Sequence, residues 1–408
     1  MSLKRRDSKN RVLRVGEQQR SDGRYLYTYK GGDDKKHYVY SWTLEKTDKT
    51  PVGKRADLSL REKEKQIKKD IEDGVAYHGG DVTVMELVKK YINTRTGVKK
   101  STKLGYRTVT RCLEKEGFSH KVISEIKRSD AKEFLIYLQN EKRKSYSTIH
   151  TIRGVLRPAF KMALDDDLIR KNPFDFPLAD VIYDDSVKRE GISREDEKRF
   201  LDFIEHDSHY SRYYEGMYIL FNTGLRISEF CGLTLNDLDM VKKEIRVTHQ
   251  LQRVGDMAYE IVTPKTDAGC RILPMTDEVY ECFRRILKKR TMKKVKVEPL
   301  LTDEFGKIYT GFLYLDKNDM PKVALHWEKY FQFSVAKFNK LYKRQLPTIT
   351  PHIARHTYCT KQARKNMNPK VLQYLMGHSG IEITLDGYTH LKFEDAKNEV
   401  ERLKANEQ

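Results

Sequence analysis

The chain has 408 residues, with 79 Lys and Arg against 59 Asp and Glu and a formal charge of +20. At roughly 150 residues per domain this is two to three domains, and 16 Phe and 24 Tyr argue against wholesale disorder. No apolar run approaches the ~20 residues of a membrane span, and the basic start MSLKRRDSKNRVLR has no apolar stretch behind it, so it does not read as a secretory signal.

Five cysteines, Cys112, Cys231, Cys270, Cys282 and Cys359, form no CxxC pair. That favours a reducing cytoplasm over a disulfide framework or a cysteine zinc site. The charge points to a polyanionic partner. Residues 1–180 carry 41 basic and 26 acidic side chains, and so +15 of the +20.

Residues 11–44 predict strands: RVLRV, RYLYTYK and HYVYSWTL alternate with period two, and GGDDKK turns between the last two. Tyr25, Tyr27 and Tyr29 share one face of the middle strand, with Arg24, Leu26, Thr28 and Lys30 on the other. LREKEKQIKKDIEDG predicts a helix with Leu60, Ile67 and Ile71 on one side and Gly74 as its stop. A small sheet with a basic surface suits the DNA major groove, although a small α+β module binding something else has the same pattern. Arg20, Arg24, Tyr40 and Lys54 are the candidate DNA contacts there, on charge and strand position. VAYHGGD (75–81) reads as a linker.

From Asp81 the period becomes 3.6. Val84, Leu87, Val88 and Tyr91 follow Thr83 at helical spacing. STKLGYRTVTRCLEKEG reads as a helix from a Ser101 cap to Gly117. SDAKEFLIYLQ reads as one capped by Ser129, with Ala131, Phe134, Leu135 and Leu138 aligned. A fourth runs from about 147 to 164, with Pro158 expected to kink or break it. Residues 81–180 thus form an all-helical domain, and ADVIYDDSVKRE (179–190) reads as a second linker. A capping box of Ser193 and Asp196 opens the third region, followed by helical YYEGMYILFNTGLRISEF. Strand-like KEIRVTHQ, AYEIVTPK and CRILPM come next, with turns at Gly255 and TDAG, and helices fill most of 277–408. The fold class is therefore multidomain α+β: a small three-stranded sheet plus helix, an all-helical domain, and a mainly helical domain with a small antiparallel sheet.

Four separated segments carry the chemistry: TGLRISE (223–229), PKTDAG (264–269), TPHIARHTYCT (350–360) and LMGHSGIEITLDGYTH (375–390). In this order they resemble the tyrosine recombinase (lambda-type integrase) family, whose pattern is an Arg in TGLR[IL]SE, a Lys in a β-turn, HxLRHT, LGH and a terminal Tyr. The match spans 181–408. Residues 81–180 resemble the family's core-site DNA-binding domain, and the front sheet resembles the arm-type DNA-binding domain of integrases from conjugative transposons. Ala354 and Met376 replace the usual Leu at two apolar packing positions.

The resemblance implies domains at 1–80, 81–180 and 191–390, a linker at 181–190 and a tail helix at 391–408. It implies Tyr388 as nucleophile, Arg226 and Arg355 on the scissile phosphate, and Lys265, His352 and His378 completing the pocket. These residue types suit the reaction. Two guanidiniums can hold the oxygens that gain charge in phosphoryl transfer, so no metal and no cofactor is needed. A phenol with a pKa near ~10 needs a base, and His352 is the candidate. Lys265 is the candidate acid for the leaving 5′-oxygen. Glu229 is either an orienter of Arg226 or a surface ion pair.

The resemblance further implies double-stranded DNA with core-type and arm-type sites as partner, a tetramer on DNA, an accessory directionality factor, no membrane, and a tail that docks on a neighbouring protomer or on its own domain. Two decoys are set aside. His352 and His356 lack the Glu of a zinc HExxH helix, because Ile353 stands there. The Asp165–Asp167 run sits at a helix end, where its carboxylates point apart. A type IB topoisomerase and a non-catalytic DNA-binding regulator are the rival readings.

Overall fold

Side-chain alternation in the second predicted strand builds the first sheet. The computed structural model describes residues 5–30, 36–72, 82–186, 190–254, 258–264, 267–292, 295, 297–385 and 388, with Lys397 and Glu401. Strands β1 (Glu17–Gln19), β2 (Tyr25–Lys30) and β3 (Lys36–Ser41) pair antiparallel in that order. Tyr25, Tyr27 and Tyr29 bury against Leu44 and against Leu60 and Ile67 of helix α1 (Leu60–Glu72). The strand expected at 11–15 does not form: Val12 makes only an isolated bridge to Arg6. The Asp7 carboxylate already accepts the N–H groups of Lys9 and Arg11, at 3.0 and 2.7 Å, which competes with strand pairing. Gly16, at φ 87°, turns the chain into β1.

Four helices follow, α2 (Val84–Asn93), α3 (Lys100–Leu113), α4 (Arg128–Asn140) and α5 (Tyr146–Asp165). They share a core that includes Leu87, Val88, Leu135, Leu138, Ile149, Leu156 and Phe160. Thr83 caps α2 in a reciprocal box with Glu86. Ser101 and Ser129 do not cap; Lys99 and Lys127 hold those positions, and the Asp130 carboxylate takes the Lys127 N–H at 2.8 Å. Helix α5 runs unbroken through Pro158. An interior proline costs about 3 kcal/mol. Val155, Leu156, Ala159 and Phe160 around it are all buried, and each large apolar side chain returns roughly 1.5–3 kcal/mol, so packing wins. The stretch read as a second linker starts out packed: Ile182 is buried, and Tyr183 exchanges backbone bonds with the Gln139 amide.

The chain divides into two compact units, Met1–Val187 and Lys188–Gln408. The first holds two separate apolar clusters, one under the sheet and one among the helices. The second has a large core around Phe200, Phe221, Phe230, Phe283, Trp327 and Phe331 and a smaller cluster of Tyr358, Cys359, Ala363, Leu372 and Met376. It opens with α6 (Arg194–His206), capped by Ser193. The continuous helical segment expected at 213–230 is two helices, α7 (Tyr214–Thr223) and α8 (Ile227–Gly232), because Gly224 ends the first in the left-handed region at φ 65°.

Strands β4 (Leu238–Asp239), β5 (Glu244–Val247) and β8 (Arg271–Pro274) form one antiparallel sheet, and β6 (Gln250–Val254) pairs with β7 (Ala258–Val262). Helix α9 (Asp277–Met292), the hairpin β9 (Leu301–Thr302) and β10 (Ile308–Tyr309), and helices α10 (Ala324–Leu341), α11 (Pro351–Arg364), α12 (Pro369–Met376) and α13 (Ile381–Leu385) complete it. The first linker, the Gly255 turn, Lys265 and, apart from Lys397 and Glu401, the tail lie outside the described residues. No described helix is long and apolar enough to cross a membrane.

Candidate active site

The TGLR segment places its arginine at a helix start. Gly224 must be glycine: its φ is 65°, and a Cβ would lie 2.6 Å from Tyr358 and 2.8 Å from the Met376 sulfur. Arg226 is the N-cap residue of α8. Its N–H donates to Glu229 Oε2 at 2.8 Å, its Nη1 to Glu229 Oε1 at 2.7 Å, and its Nη2 to the Gly377 carbonyl at 2.7 Å. Glu229 is fully buried, so the choice left open at the sequence resolves to an orienting partner. Burial by itself would raise the Glu229 pKa, but the Arg271 fork and charge, with Arg226, hold it below the ordinary carboxylate range.

Arg355 lies on α11 and is buried. Its Nη1 donates to the Gly224 carbonyl and its Nη2 to the Met376 carbonyl. Burial first, then the like charge of Arg226, presses its pKa down. Three guanidiniums, Arg226, Arg271 and Arg355, thus surround one carboxylate. The residual positive charge sits in a low-dielectric pocket, where an anion is strongly favoured.

His378 follows the left-handed Gly377 cap of α12. Its Nδ1 lies 3.0 Å from Thr384 Oγ1. Burial and then the cations Arg355, Arg226 and Arg271 push its pKa down to about 4, so its imidazole is neutral at pH 7. His352 lies exposed on α11, with its Nε2 3.0 Å from that of His356. Tyr388 packs partly buried beside Tyr358, Cys359 and Met376, and its phenol donates to the Met367 carbonyl. Burial, with the Cys359 thiol nearby, raises its pKa. The structure therefore joins Arg226, Glu229 and Arg355 through one hydrogen-bonded set with the turn before His378, pairs His352 with His356, and docks the Tyr388 hydroxyl on a backbone carbonyl.

Two residues of this region escaped the sequence reading. Arg271 is fully buried and bonds both Glu229 oxygens, at 2.9 and 3.1 Å. The signal was there: in CRILPM, period two puts Arg271 on the inward face with Leu273, and an inward cation calls for a carboxylate. His356 sits one turn after His352 and was weighed only as a zinc ligand. Among the described residues no group of three or more His, Cys, Asp or Glu could hold a metal ion.

The first unit carries two cationic surfaces. On the front sheet, the Arg20 and Arg24 guanidiniums lie 5.5 and 5.3 Å from the Tyr40 ring centre. Arg24 also lies 5.8 Å and Lys54 4.8 Å from the Trp42 ring. All four residues singled out from sequence share this cluster, and Trp42, which was missed, carries two of their cations, Arg24 and Lys54. The Arg24 charge is partly met by Asp22 at 2.7 Å. In the helical domain, Arg128, Arg157, Lys161, Arg170 and Lys171 line a hollow of about 640 Å³ with Asp175 as the one acid lining it.

Comparison with known proteins gives a consistent result. The DNA binding domain of Tn916 integrase matches residues 1–71, and the phage integrase family profile matches 191–395. The chain is 42% identical over 409 residues to the transposase from transposon Tn1545 of Streptococcus agalactiae and to the transposase from transposon Tn916 of Enterococcus faecalis, covering 100% of this chain and 98% of each relative. A solved fragment of the Tn1549 transposon integrase in complex with a circular intermediate DNA superposes with a TM-score of 0.72 at 43% identity, covering 79% of this chain and 99% of that one. A lambda integrase dimer bound to a COC′ core site shares the fold at 15% identity, with a TM-score of 0.53, over 93% of this chain and 95% of that one.

Proposed function

The chain belongs to the phage integrase family, the tyrosine recombinases, and is a DNA strand cleaving and rejoining enzyme that integrates and excises a mobile element; from that premise we propose that Tyr388 attacks the scissile phosphate inside the Arg226–Arg355 pocket. The observation that carries this is the imbalance of three buried or half-buried guanidiniums around a single carboxylate, Glu229. A phosphodiester is the anion that the pocket suits. Arg226 and Arg355 hold its non-bridging oxygens as negative charge builds there.

The phenol oxygen of Tyr388 bonds to phosphorus as the bond to the 5′-oxygen breaks. His352 takes the phenol proton, and Lys265 protonates the leaving oxygen. Neutral His378 donates a hydrogen bond to the phosphate. The product is a 3′-phosphotyrosyl ester that keeps the phosphoester energy. A 5′-hydroxyl of the partner strand reverses the step, with no cofactor and no metal. Two such exchanges pass through a four-way junction, within a tetramer in which two protomers act at a time. The Tyr388 phenol donates to the Met367 carbonyl, so attack requires it to leave that acceptor.

The domains follow as residues 1–80 for arm-type sites, 81–180 for core sites, 181–190 as linker, 191–390 for catalysis and 391–408 as a tail that docks on a neighbour. The Tyr40–Trp42 face enters the major groove, where bases are distinguishable, and the basic hollow of the helical domain meets backbone phosphates. The protein acts in the cytoplasm on nucleoid DNA, with an accessory factor setting direction.

The test is a core-site duplex nicked near the scissile phosphate. Wild type forms a covalent protein–DNA adduct. Tyr388→Phe forms none yet still binds. An adduct with Tyr388→Phe would overturn the nucleophile assignment, and loss of the adduct in EDTA would reopen a metal mechanism.

A further inference from the structure

Three successive carbonyls at the end of α12 each accept from a different arginine. Leu375 O accepts from Arg271 Nε at 2.8 Å, Met376 O from Arg355, and Gly377 O from Arg226 at 2.7 Å. The last carbonyls of a helix have no partner in the helix and carry its negative end, so cations are favoured there. Two of the three arginines are assigned to the phosphate. Arg271 has no such freedom: its side chain is fully buried, and it also donates to Gly269 O at 3.1 Å.

We propose that Arg271 is a positioning residue for strand cleavage, acting through Glu229 on Arg226 and through Leu375 on the turn that presents His378. This rests on the reading of Arg226 as a phosphate clamp. Glu229 is shared between two guanidiniums. With Arg271 gripping both its oxygens, the carboxylate is balanced, and Arg226 keeps donors for a phosphate. Without Arg271 the buried charge of Glu229 falls on Arg226 alone, drawing it into a tight ion pair and away from substrate.

The same side chain ties β8 to α12. Tyr374 repeats the tie beside it, its hydroxyl accepting the Ile272 N–H at 3.1 Å. Lysine cannot take the place of Arg271, because a single ammonium cannot present a planar fork to a carboxylate and an Nε–H to a carbonyl at once. Gly377 makes room for it: a Cβ there would come within 2.8 Å of Arg271 Nη1.

The test is a double-mutant cycle on the full-length protein. It measures single-turnover adduct formation on the nicked core-site duplex at saturating protein, together with the Kd for that duplex. Arg226→Lys slows cleavage roughly 100- to 1000-fold. Arg271→Lys slows it roughly 10- to 100-fold, with Kd changed less than about twofold. In the Arg226→Lys background, Arg271→Lys slows cleavage by a clearly smaller factor than it does alone, because the route through Glu229 and Arg226 is already gone and only the one through Leu375 remains. Independent, additive losses would overturn the positioning role, as would a loss confined to Kd. If Arg271→Lys shows no cooperative melt, Glu229→Gln carries the test, since it keeps the shape and removes the linking charge. It must slow cleavage with Kd retained, and normal cleavage would overturn the proposal. If Arg226→Lys alone cleaves like wild type, it is the reading of the phosphate clamp that fails, and this inference falls with it.

Discussion

At the residue scale, the site works by having more buried cation than anion. Burial first, and then that excess of cation, lowers His378 to about 4 from an ordinary 6.5. The consequence for stability has a definite sign. Between those values the unfolded chain binds the proton more tightly than the folded one, so stability rises with pH there. It is lost as pH falls from about 6.5 toward 4. The melting temperature of wild type should drop across that window, and His378→Gln should flatten the drop. A bound phosphate cancels part of the cation field, so it raises the His378 pKa. Core-site DNA binding near pH 5 should therefore take up more protons in wild type than in His378→Gln, as read by calorimetry in buffers of different ionisation enthalpy. Equal uptake would refute the idea that His378 faces the phosphate.

At the element scale, two left-handed glycines matter more than any helix propensity. Gly224 ends α7 so that its own carbonyl meets Arg355. Gly377, at φ 62°, ends α12 against Arg271. A left-handed non-glycine costs roughly 1–2 kcal/mol before any clash. Gly377→Ala should thus lower unfolding free energy in denaturant by about that amount or more. It should cut cleavage by a larger factor than the stability loss explains, because three arginine contacts shift together. A variant that loses stability but cleaves normally when folded would show that the turn is structural only.

Both glycines were visible in the motifs TGLR and MGH, and the Ser193 cap was visible as well. Other features were not. Lys127 outranks Ser129 as a cap because Asp130 satisfies the free N–H from inside the helix. Pro158 is tolerated because burial on both sides outweighs its cost. The first strand is lost to the Asp7 carboxylate. In each case a non-local or side-chain contact overrode a local preference.

At the scale of the whole molecule, charge is divided by task. The first 180 residues hold 41 basic against 26 acidic side chains, and the remaining 228 hold 38 against 33. Binding that rests on phosphate contacts should weaken steeply with salt. The single-turnover cleavage rate of saturated complex should change little, since the Arg355 guanidinium and the Arg271–Glu229 pair are buried and poorly screened. Deleting residues 1–80 should abolish arm-duplex binding in a gel shift and leave core-site cleavage intact; arm binding that survives the deletion would overturn the domain assignment.

The fold class and the family are legible in the residues alone. Periodicity separates a small sheet from a helical region, and four short motifs in a fixed order identify the family. Residue chemistry then implies a metal-free phosphoryl transfer. Only the tertiary structure decided how those residues are wired. Arg226, Arg271 and Arg355 are 45 and 84 positions apart along the chain, yet they meet on three adjacent carbonyls at the end of α12, and Arg226 and Arg271 share one carboxylate. Spacing along a chain carries no information about such a meeting. It follows from where β8, α8 and α11 pack, and from the need of every buried charge to find a partner. The same holds for Tyr388, whose motif marks it as a nucleophile while the folded chain docks its hydroxyl on Met367.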